Sequence, residues 1–335
     1  MCTRALAILC LAVPLLPAQP KIGIIEIFGT RKVTPEKLKR ALNIVEGGAM
    51  PQSKNDAETK LIGLEDVVNA DIEAVCCDQG KAILYIGIEE RGGPHYESRT
   101  PPANEELRLP DEIREQWLDF ITSVEVVARK GDDREDLTNG YSLMVDPDVR
   151  RSQETFLKVA DANFTILREV LHNAADEEQR GIAAYIIGYA PDRKAVATEL
   201  QFAMQDPDST VRNNAMRGLM ALTVWSRLNP DAGVLISPTW FVEMLNSTHF
   251  TDRSKAATAL YTFTENRDAA ILQHLRDRAM PALTEMAQWR HMPHALPAFY
   301  LLGRVAGLPE ADIQALWTKG DRAELLRRVK PAPRK

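Results

Sequence analysis

The feature that most constrains this chain is an internal repeat in its C-terminal half. The pattern Arg-x-x-Ala-x-x-x-Ile/Leu begins at Arg180 and returns at Arg212 and Arg253, and a fourth copy from Ala295 keeps the Ala and the Leu without the Arg. The four starts are separated by 32, 41 and 42 residues. A period of roughly 20 to 50 residues is typical of stacked structural units, because one unit alone cannot bury its apolar face.

Each copy of the pattern follows another amphipathic segment, such as residues 193–205 or 238–245. Apolar residues three and four positions apart lie on one face of a helix. The unit is therefore predicted to be a helix, a turn and a second helix. Its small Ala residues allow close packing, and the Ile or Leu fills the seam between units. The pattern predicts an all-α solenoid over residues 149–329.

Charged residues recur with the repeat. Asp176 precedes Arg180 by four positions, and Asp208 precedes Arg212 by the same distance. Because this spacing places the two side chains on neighbouring turns, we expect an ion-pair ladder that stabilises the repeats rather than a catalytic group. His249 takes the Asp position in the third copy. The fourth copy has lost its arginine, which suits a terminal capping unit.

Residues 205–215 read QDPDSTVRNNA, in which a turn containing Asp is followed by a helix that opens with Val-Arg and then small residues. This segment resembles the HEAT repeats of bacterial proteins, a type also found in phycobilin lyases. The resemblance extends over residues 150–328. It implies a HEAT-type solenoid that binds protein partners. It also implies an alternative, a lyase-like enzyme built on the same solenoid.

The N-terminal part has a different pattern. Residues 21–29 are rich in β-branched residues, and Thr34-Pro35 supplies an N-cap and a proline for a following helix. Ser53 is placed to cap a second helix. Two apolar runs, 67–75 and 82–90, flank a tight Asp-Gln-Gly turn and predict a hairpin. The sequence therefore predicts a small α+β domain of order β-α-α-β-β.

This order over residues 19–91 resembles a POTRA domain, the module repeated in the periplasmic part of outer-membrane assembly proteins. The resemblance rests on Gly29-Thr30, Val33, Gly47-Gly48 and the closing strand 82–90. It implies a sheet edge that accepts a partner strand. It also implies a further alternative, an accessory factor of outer-membrane protein assembly. Those relatives carry several such modules, whereas this sequence shows one.

The first 18 residues have the layout of a secretory signal peptide. A cationic start at Arg4 is followed by an apolar run over residues 5–16 and a small residue at Ala18. We expect cleavage after Ala18, an extracytoplasmic location (periplasmic or secreted) and no membrane span in the mature chain. Cleavage would leave Cys76 and Cys77 as the remaining cysteines. Because adjacent cysteines rarely bond to each other, no disulfide scaffold is expected, and the redox state of this pair stays open.

Residues 92–110 are rich in Pro, Gly and charge, and they form the best domain boundary in the sequence. We therefore expect them to be a linker between separable modules. Residues 111–148 are predicted to be one amphipathic helix followed by a long polar loop. Residues 330–335 form a basic tail.

The sequence offers little sign of chemistry. The net charge of −6 at pH 7 disfavours a nucleic-acid partner. The chain has no GxSxG, P-loop, GxGxxG or HExxH motif. His291 and His294 are close in sequence, but the proline between them favours a turn rather than a metal site. We therefore expect no catalytic, cofactor-binding or metal-binding residue, and no cofactor.

The remaining candidate is a protein-binding face. When each repeat helix is numbered from its Arg, positions 3, 4 and 7 are packed, so positions 2 and 5 should face solvent. In the two best copies these are Asn214, Arg217, Lys255 and Thr258. Such a polar, partly cationic stripe suits an acidic or extended protein segment, although plain solvation explains it equally well. The sequence predicts an exported, non-enzymatic scaffold and does not identify its partner.

Overall fold

A computed structural model describes residues 21–128 and 134–329. The expected signal peptide (1–18) and basic tail (330–335) lie outside these residues. Within the described residues, no helix is both long and apolar enough to cross a bilayer.

The N-terminal domain has the predicted order of elements. Its elements are β1 (Ile22–Phe28), α1 (Pro35–Leu42), α2 (Lys54–Ile62), β2 (Val67–Asp78) and β3 (Lys81–Glu90). The side chain of Thr34 accepts a hydrogen bond from the Lys37 amide, and Ser53 caps α2 in the same way. Both helices therefore begin where local capping chemistry places them.

Strand β3 lies at the centre of the sheet, parallel to β1 and antiparallel to β2. Leu84, Ile86 and Ile88 point into the domain's own core with α1 and α2. Ile83 and Tyr85, on the opposite face, are equally buried but belong to the core of the helical body. Because side chains alternate along a strand, one strand joins the two cores.

Strand β2 contains a bond that adjacent cysteines rarely form. Cys76 and Cys77 are joined to each other by a disulfide, which settles the pairing that the sequence leaves open. The bond lies where the antiparallel register with β3 breaks, between Val75 and Asp78.

The rest of the chain is mostly helical. Its elements are α3 (Asp111–Ala128), β4 (Glu135–Asp136), β5 (Leu143–Met144), α4 (Pro147–Asn173), α5 (Glu177–Ile187), α6 (Arg193–Ala203), α7 (Ser209–Leu228), a 3-10 turn (Pro230–Ala232), α8 (Thr239–Met244), α9 (Phe250–Phe263), α10 (Ala269–Arg278), α11 (Met280–Met286), α12 (Met292–Val305), α13 (Glu310–Lys319) and α14 (Arg322–Arg328). The region predicted to be a polar loop therefore contains a small β4–β5 hairpin.

The helices stack as a repeat solenoid. The four copies of the sequence pattern fall on α5, α7, α9 and α12, and these second helices pack side by side in that order. The first helices of the units are α4, α6, α8 and the broken pair α10–α11. The pattern alanines and the following Ile or Leu are fully buried in all four copies. The predicted repeat and its helix-turn-helix units are confirmed.

The charged ladder has different partners from those expected. Asp176 and Asp208 cap the starts of α5 and α7 through backbone amides instead of pairing with the arginine four residues later. The arginines reach into the next unit. Arg180 pairs with Asp206 at 2.9 Å, Arg212 with Asp252 at 2.6 Å and Arg253 with Glu285 at 3.2 Å. A local i,i+4 rule could not reveal a pairing that requires stacked units.

Residues 92–110, called the strap below, contain no helix or strand, but they are not a free linker. Arg99 donates its backbone amide to Gln205 O, and Tyr96 OH bonds to Met204 O. Further along, Asn104 pairs with the 173–175 turn, and the Leu109 amide donates to Gln179. The strap therefore runs along the turns inside the first two units, and its backbone bonds tie it to the solenoid.

The N-terminal domain is docked on the third and fourth units. The ring of Tyr85 stacks on Phe250 with centroids 3.7 Å apart, and Trp289 approaches the same ring from its edge at 5.2 Å. A Cβ added at Gly87 would lie 1.8 Å from the Thr248 carbonyl oxygen, so only glycine permits this approach. The expectation of separable modules is therefore replaced by a shared core.

Candidate protein-binding cleft

A cleft with a volume of about 860 Å³ lies where the strap meets the third and fourth units. One wall is formed by strap residues 93–99. The opposite wall is formed by the start of α8 and the α10–α11 junction. The side chains that line the cleft include Arg31, His95, Glu97, Arg99, Trp240, Glu243, Asp277 and Arg278.

Helix α8 places an aromatic side chain in this cleft. Phe241, Val242 and Met244 are fully buried and hold the helix on the solenoid core. Trp240 and Glu243 are three positions apart and therefore share a different face, which lines the cleft. Trp240 is half-buried, so part of its indole stays accessible.

The far wall is held by ion pairs. Arg278 donates from Nε and Nη2 to the two carboxylate oxygens of Glu243 at 2.9 and 2.8 Å. These bonds, together with His274 at 3.5 Å, hold the pKa of Glu243 below its ordinary value. The carboxylate stays ionised, and its bonds to Arg278 join α8 to α10 within the far wall of the cleft.

The strap wall is anchored at Arg99. Its guanidinium donates from Nη2 to Asp206 Oδ2 at 2.6 Å and lies 4.7 Å from the ring centre of Phe202. Asp206 is fully buried and also receives the Arg180 pair, so two arginines share one carboxylate. By contrast, His95 and Glu97 are exposed at the cleft mouth. The wall is therefore fixed at one end and polar at its rim.

The arrangement suits recognition of a polypeptide. A half-buried Trp offers an apolar and cation-attracting surface, and Trp and Arg are enriched among residues that dominate binding energy. Charges of both signs surround it, with Arg31 available to an acidic group and Asp277 and Glu97 available to a basic group. An extended segment could bury an apolar side chain on Trp240 and pair its own charges at the rim.

Two of the four residues proposed from the repeat pattern are less exposed than expected, since Asn214 is buried and Arg217 is half-buried with 29% of its side chain exposed. Asn214 is 8% exposed, and its Nδ2 donates to Gly181 O at 3.0 Å between α7 and α5. Arg217 donates to Ser142 Oγ at 2.9 Å and pairs with Glu135. Burial lowers the pKa of Arg217 to about 10. The expectation of an outward-facing side chain is wrong for Asn214, which lies between α7 and α5, whereas Arg217 is partly covered by the region of the β4–β5 hairpin.

Lys255 and Thr258, the other two residues, differ in how far they are exposed to solvent. Lys255 is half-buried, and burial, with a smaller contribution from the charge of Arg217, lowers its pKa to about 7. Thr258 is exposed as expected, although its hydroxyl donates to Ser254 O at 2.9 Å. None of the four residues lines the cleft. The sequence stripe and the cleft are therefore separate surfaces.

The closely spaced histidines contribute to domain docking. His294 Nδ1 lies 2.6 Å from Tyr85 OH, and the two imidazole rings of His291 and His294 are 4.0 Å apart. Burial, together with the charge of His291, lowers the pKa of His294 to about 4. A neutral ring at this position accepts a hydrogen bond from the Tyr85 hydroxyl at Nδ1.

The sequence does not reveal the cleft, because its walls are distant in the chain. The pattern around Trp240 predicts only an amphipathic helix, and the composition of residues 92–110 predicts a linker. The composition of the strap marks it as irregular but does not indicate what it contacts. The available signal was a tryptophan at the start of a short helix, which does not distinguish a core residue from a binding residue.

Comparisons with known proteins give limited information. No protein-family model matches the chain, and no curated protein matches it. Among solved structures, the chain is similar to a designed armadillo repeat protein with 13% sequence identity and a TM-score of 0.34, over 59% of this chain and 92% of that chain. At this TM-score the likeness carries no argument. The repeat solenoid rests on the stacking of the helices described above.

Proposed function

We propose that this protein is an exported, non-enzymatic scaffold whose cleft beside Trp240 binds an extended segment of a partner protein. The observation that carries the proposal is the cleft itself, with a volume of about 860 Å³ and an accessible indole on its wall. The solenoid would be of the HEAT type and the N-terminal domain POTRA-like. Export would follow from the signal-peptide pattern of residues 1–18.

The rigidity of the cleft supports this role. The pairs Arg99–Asp206 and Glu243–Arg278 hold its two walls without help from a partner. A binding site whose walls are already ordered loses less conformational entropy on association, so more of the contact energy appears as affinity. The pairing of Glu243 with Arg278 favours a structural part for this carboxylate over one in acid–base chemistry.

The sheet edge is less suited to accepting a partner strand. The Ile72 amide at the outer edge of β2 donates to Glu58 Oε1 at 2.8 Å, and Lys54 Nζ donates to Ile72 O at 3.0 Å. Side chains of α2 therefore occupy the edge groups that strand addition would use. We favour the cleft over the sheet edge, and a scaffold over an outer-membrane assembly factor.

Site-specific crosslinking tests the proposed cleft. A photoreactive amino acid would replace Trp240 or His95 in the full chain, which is then irradiated in its native envelope. The matched control places the same group at Leu235, which is 83% exposed on a loop outside the cleft. We expect a discrete protein adduct from both cleft positions and none from the control. Equal labelling at all three positions, or none, would contradict the proposal.

Intact mass tests the proposed export. The mature native protein should lack residues 1–18. A retained Met1 on a protein that fractionates with the cytoplasm would contradict export while leaving the cleft proposal untouched.

A further inference from the structure

Three potential metal ligands meet at the seam between the N-terminal domain and the solenoid. Asp71 and Glu73 are two positions apart on β2 and therefore project from the same face of the strand. His249 occupies the N-cap position of α9 on the solenoid side, and its side chain makes no capping bond there. One ligand atom from each of the three residues lies within 4.8 Å of the others.

The distances approach those of a bound ion. His249 Nδ1 is 3.2 Å from Asp71 Oδ1 and 3.9 Å from Glu73 Oε1. Zinc binds nitrogen and carboxylate oxygen at about 2.0 to 2.2 Å, so two ligands of a tetrahedral ion lie about 3.3 to 3.6 Å apart. Small side-chain adjustments would bring the three atoms onto one ion.

The local charge balance favours a cation. Lys54 Nζ lies 2.6 Å from Asp71 and 3.1 Å from Glu58, and Glu73 lies 3.9 Å from His249, so three carboxylates meet one ammonium group and one imidazole. Burial of carboxylates in excess of cations is costly, and a divalent ion would offset that excess.

One carboxylate oxygen in this cluster has no partner. The side chain of Asp71 is 7% exposed, and its Oδ2 atom is buried without a hydrogen bond. Buried polar atoms in folded proteins are nearly always satisfied, so an orphaned carboxylate oxygen points to an additional ligand. His249 also lines a cleft of about 90 Å³, together with Arg212, Ser247 and Thr248.

We propose that Asp71, Glu73 and His249 bind a divalent transition-metal ion of the zinc class, which fastens the N-terminal domain to the third repeat unit. Two carboxylates and one imidazole provide three protein ligands, and a water molecule would fill the fourth position. Lys54 remains paired with Glu58 when the ion takes Asp71. The site goes beyond the proposed partner-binding function, because none of its three ligands lines the cleft beside Trp240.

Metal titration of the purified chain tests this site. After removal of metals with a chelator, Zn²⁺ is added during calorimetry and thermal unfolding, and Co²⁺ is used as a spectroscopic probe of tetrahedral coordination. We expect one ion per chain with a dissociation constant of about 1 µM or tighter and a higher melting temperature. Mg²⁺ and Ca²⁺ should not reproduce the effect.

Variants identify the ligands. His249→Gln and Glu73→Gln should each weaken Zn²⁺ binding at least about tenfold and abolish the visible Co²⁺ bands. His274→Gln is the matched control, because His274 also faces a carboxylate, Glu243 at 3.5 Å, without the second acidic ligand. Circular dichroism of the metal-free variants checks that they fold. Zn²⁺ binding weaker than about 100 µM, or equal losses in the control, would overturn the proposal.

Discussion

Arg212 and Asp252 form a buried ion pair across a repeat boundary, with Nη2 donating to Oδ2 at 2.6 Å and both side chains at most 3% exposed. Arg212 Nη1 also donates to the carbonyls of Asp206 and Pro207, and Ser247 Oγ donates to Asp252 Oδ2. Because a buried charge is tolerated only with several partners, these bonds set the register of α7 against α9.

Replacement of Asp252 should be strongly destabilising. We expect Asp252→Ala to lower the free energy of unfolding by about 3 to 5 kcal/mol, because Arg212 would remain buried without its counter-charge. Chemical denaturation of the purified chain measures the change. The control is Glu265→Ala, which removes the Arg227–Glu265 pair, where both side chains are nearly half exposed. It should cost less than about 1 kcal/mol, and similar costs for the two variants would contradict the ladder.

The repeat seam gives a second stability prediction. Leu219 is fully buried on α7, so Leu219→Ala should lower the free energy of unfolding by about 2 to 5 kcal/mol by opening a cavity. Leu235→Ala, at an 83% exposed position, should change it by less than about 0.5 kcal/mol. Denaturant midpoints of the two variants provide the comparison. A small effect at Leu219 would show that the face of α7 that carries this residue does not pack in the solenoid core.

Gly87 tests how the N-terminal domain is docked. A side chain there would meet the Thr248 carbonyl, so Gly87→Ala should force the sheet away from α9 at a cost of about 1 to 3 kcal/mol. Hydrogen exchange should rise in residues 83–89 and 247–251. Gly63→Ala is the control, because its added Cβ would meet neighbours only at 3.5 Å. Unchanged exchange at the seam in Gly87→Ala would argue against this interface.

The strap should resist proteases until its anchor is removed. Limited proteolysis of the intact chain should leave residues 92–110 uncut, whereas Arg99→Ala should permit early cleavage there, since the Asp206 and Leu171 bonds are lost. Arg108→Ala is the control, because Arg108 is 43% exposed and lies 3.7 Å from Asp176. Rapid cleavage of the unmodified strap would restore the linker interpretation.

His294 should make stability depend on pH. Its folded-state pKa of about 4 lies below the ordinary value of 6.5, so on acidification the unfolded chain takes up a proton first. The stabilisation of the folded state by neutral His294 is complete above about pH 6.5 and is lost as the pH falls towards 4. Melting temperatures of the unmodified chain and of His294→Gln over this range measure it. The variant should show a shallower decline, and parallel curves would contradict the assignment.

Local sequence determined the elements themselves. Thr34 and Ser53 start their helices with side-chain caps, and the repeat spacing places α5, α7, α9 and α12 correctly, because capping and helical periodicity involve residues a few positions apart. The prediction that position 2 of each repeat faces solvent failed at Asn214. Periodicity gives the phase of a helix but does not show which neighbour covers each face.

Tertiary structure decided the partners and the candidate site. Arg99 and Asp206 are 107 positions apart, and Trp240 shares a cleft with strap residues more than 140 positions earlier in the chain. The arginine ladder likewise joins consecutive units rather than consecutive turns. These relationships depend on how the units stack and on where the strap lies. Both are set by burial of apolar surface between distant segments. A local sequence pattern does not specify which distant segment an apolar face will pack against.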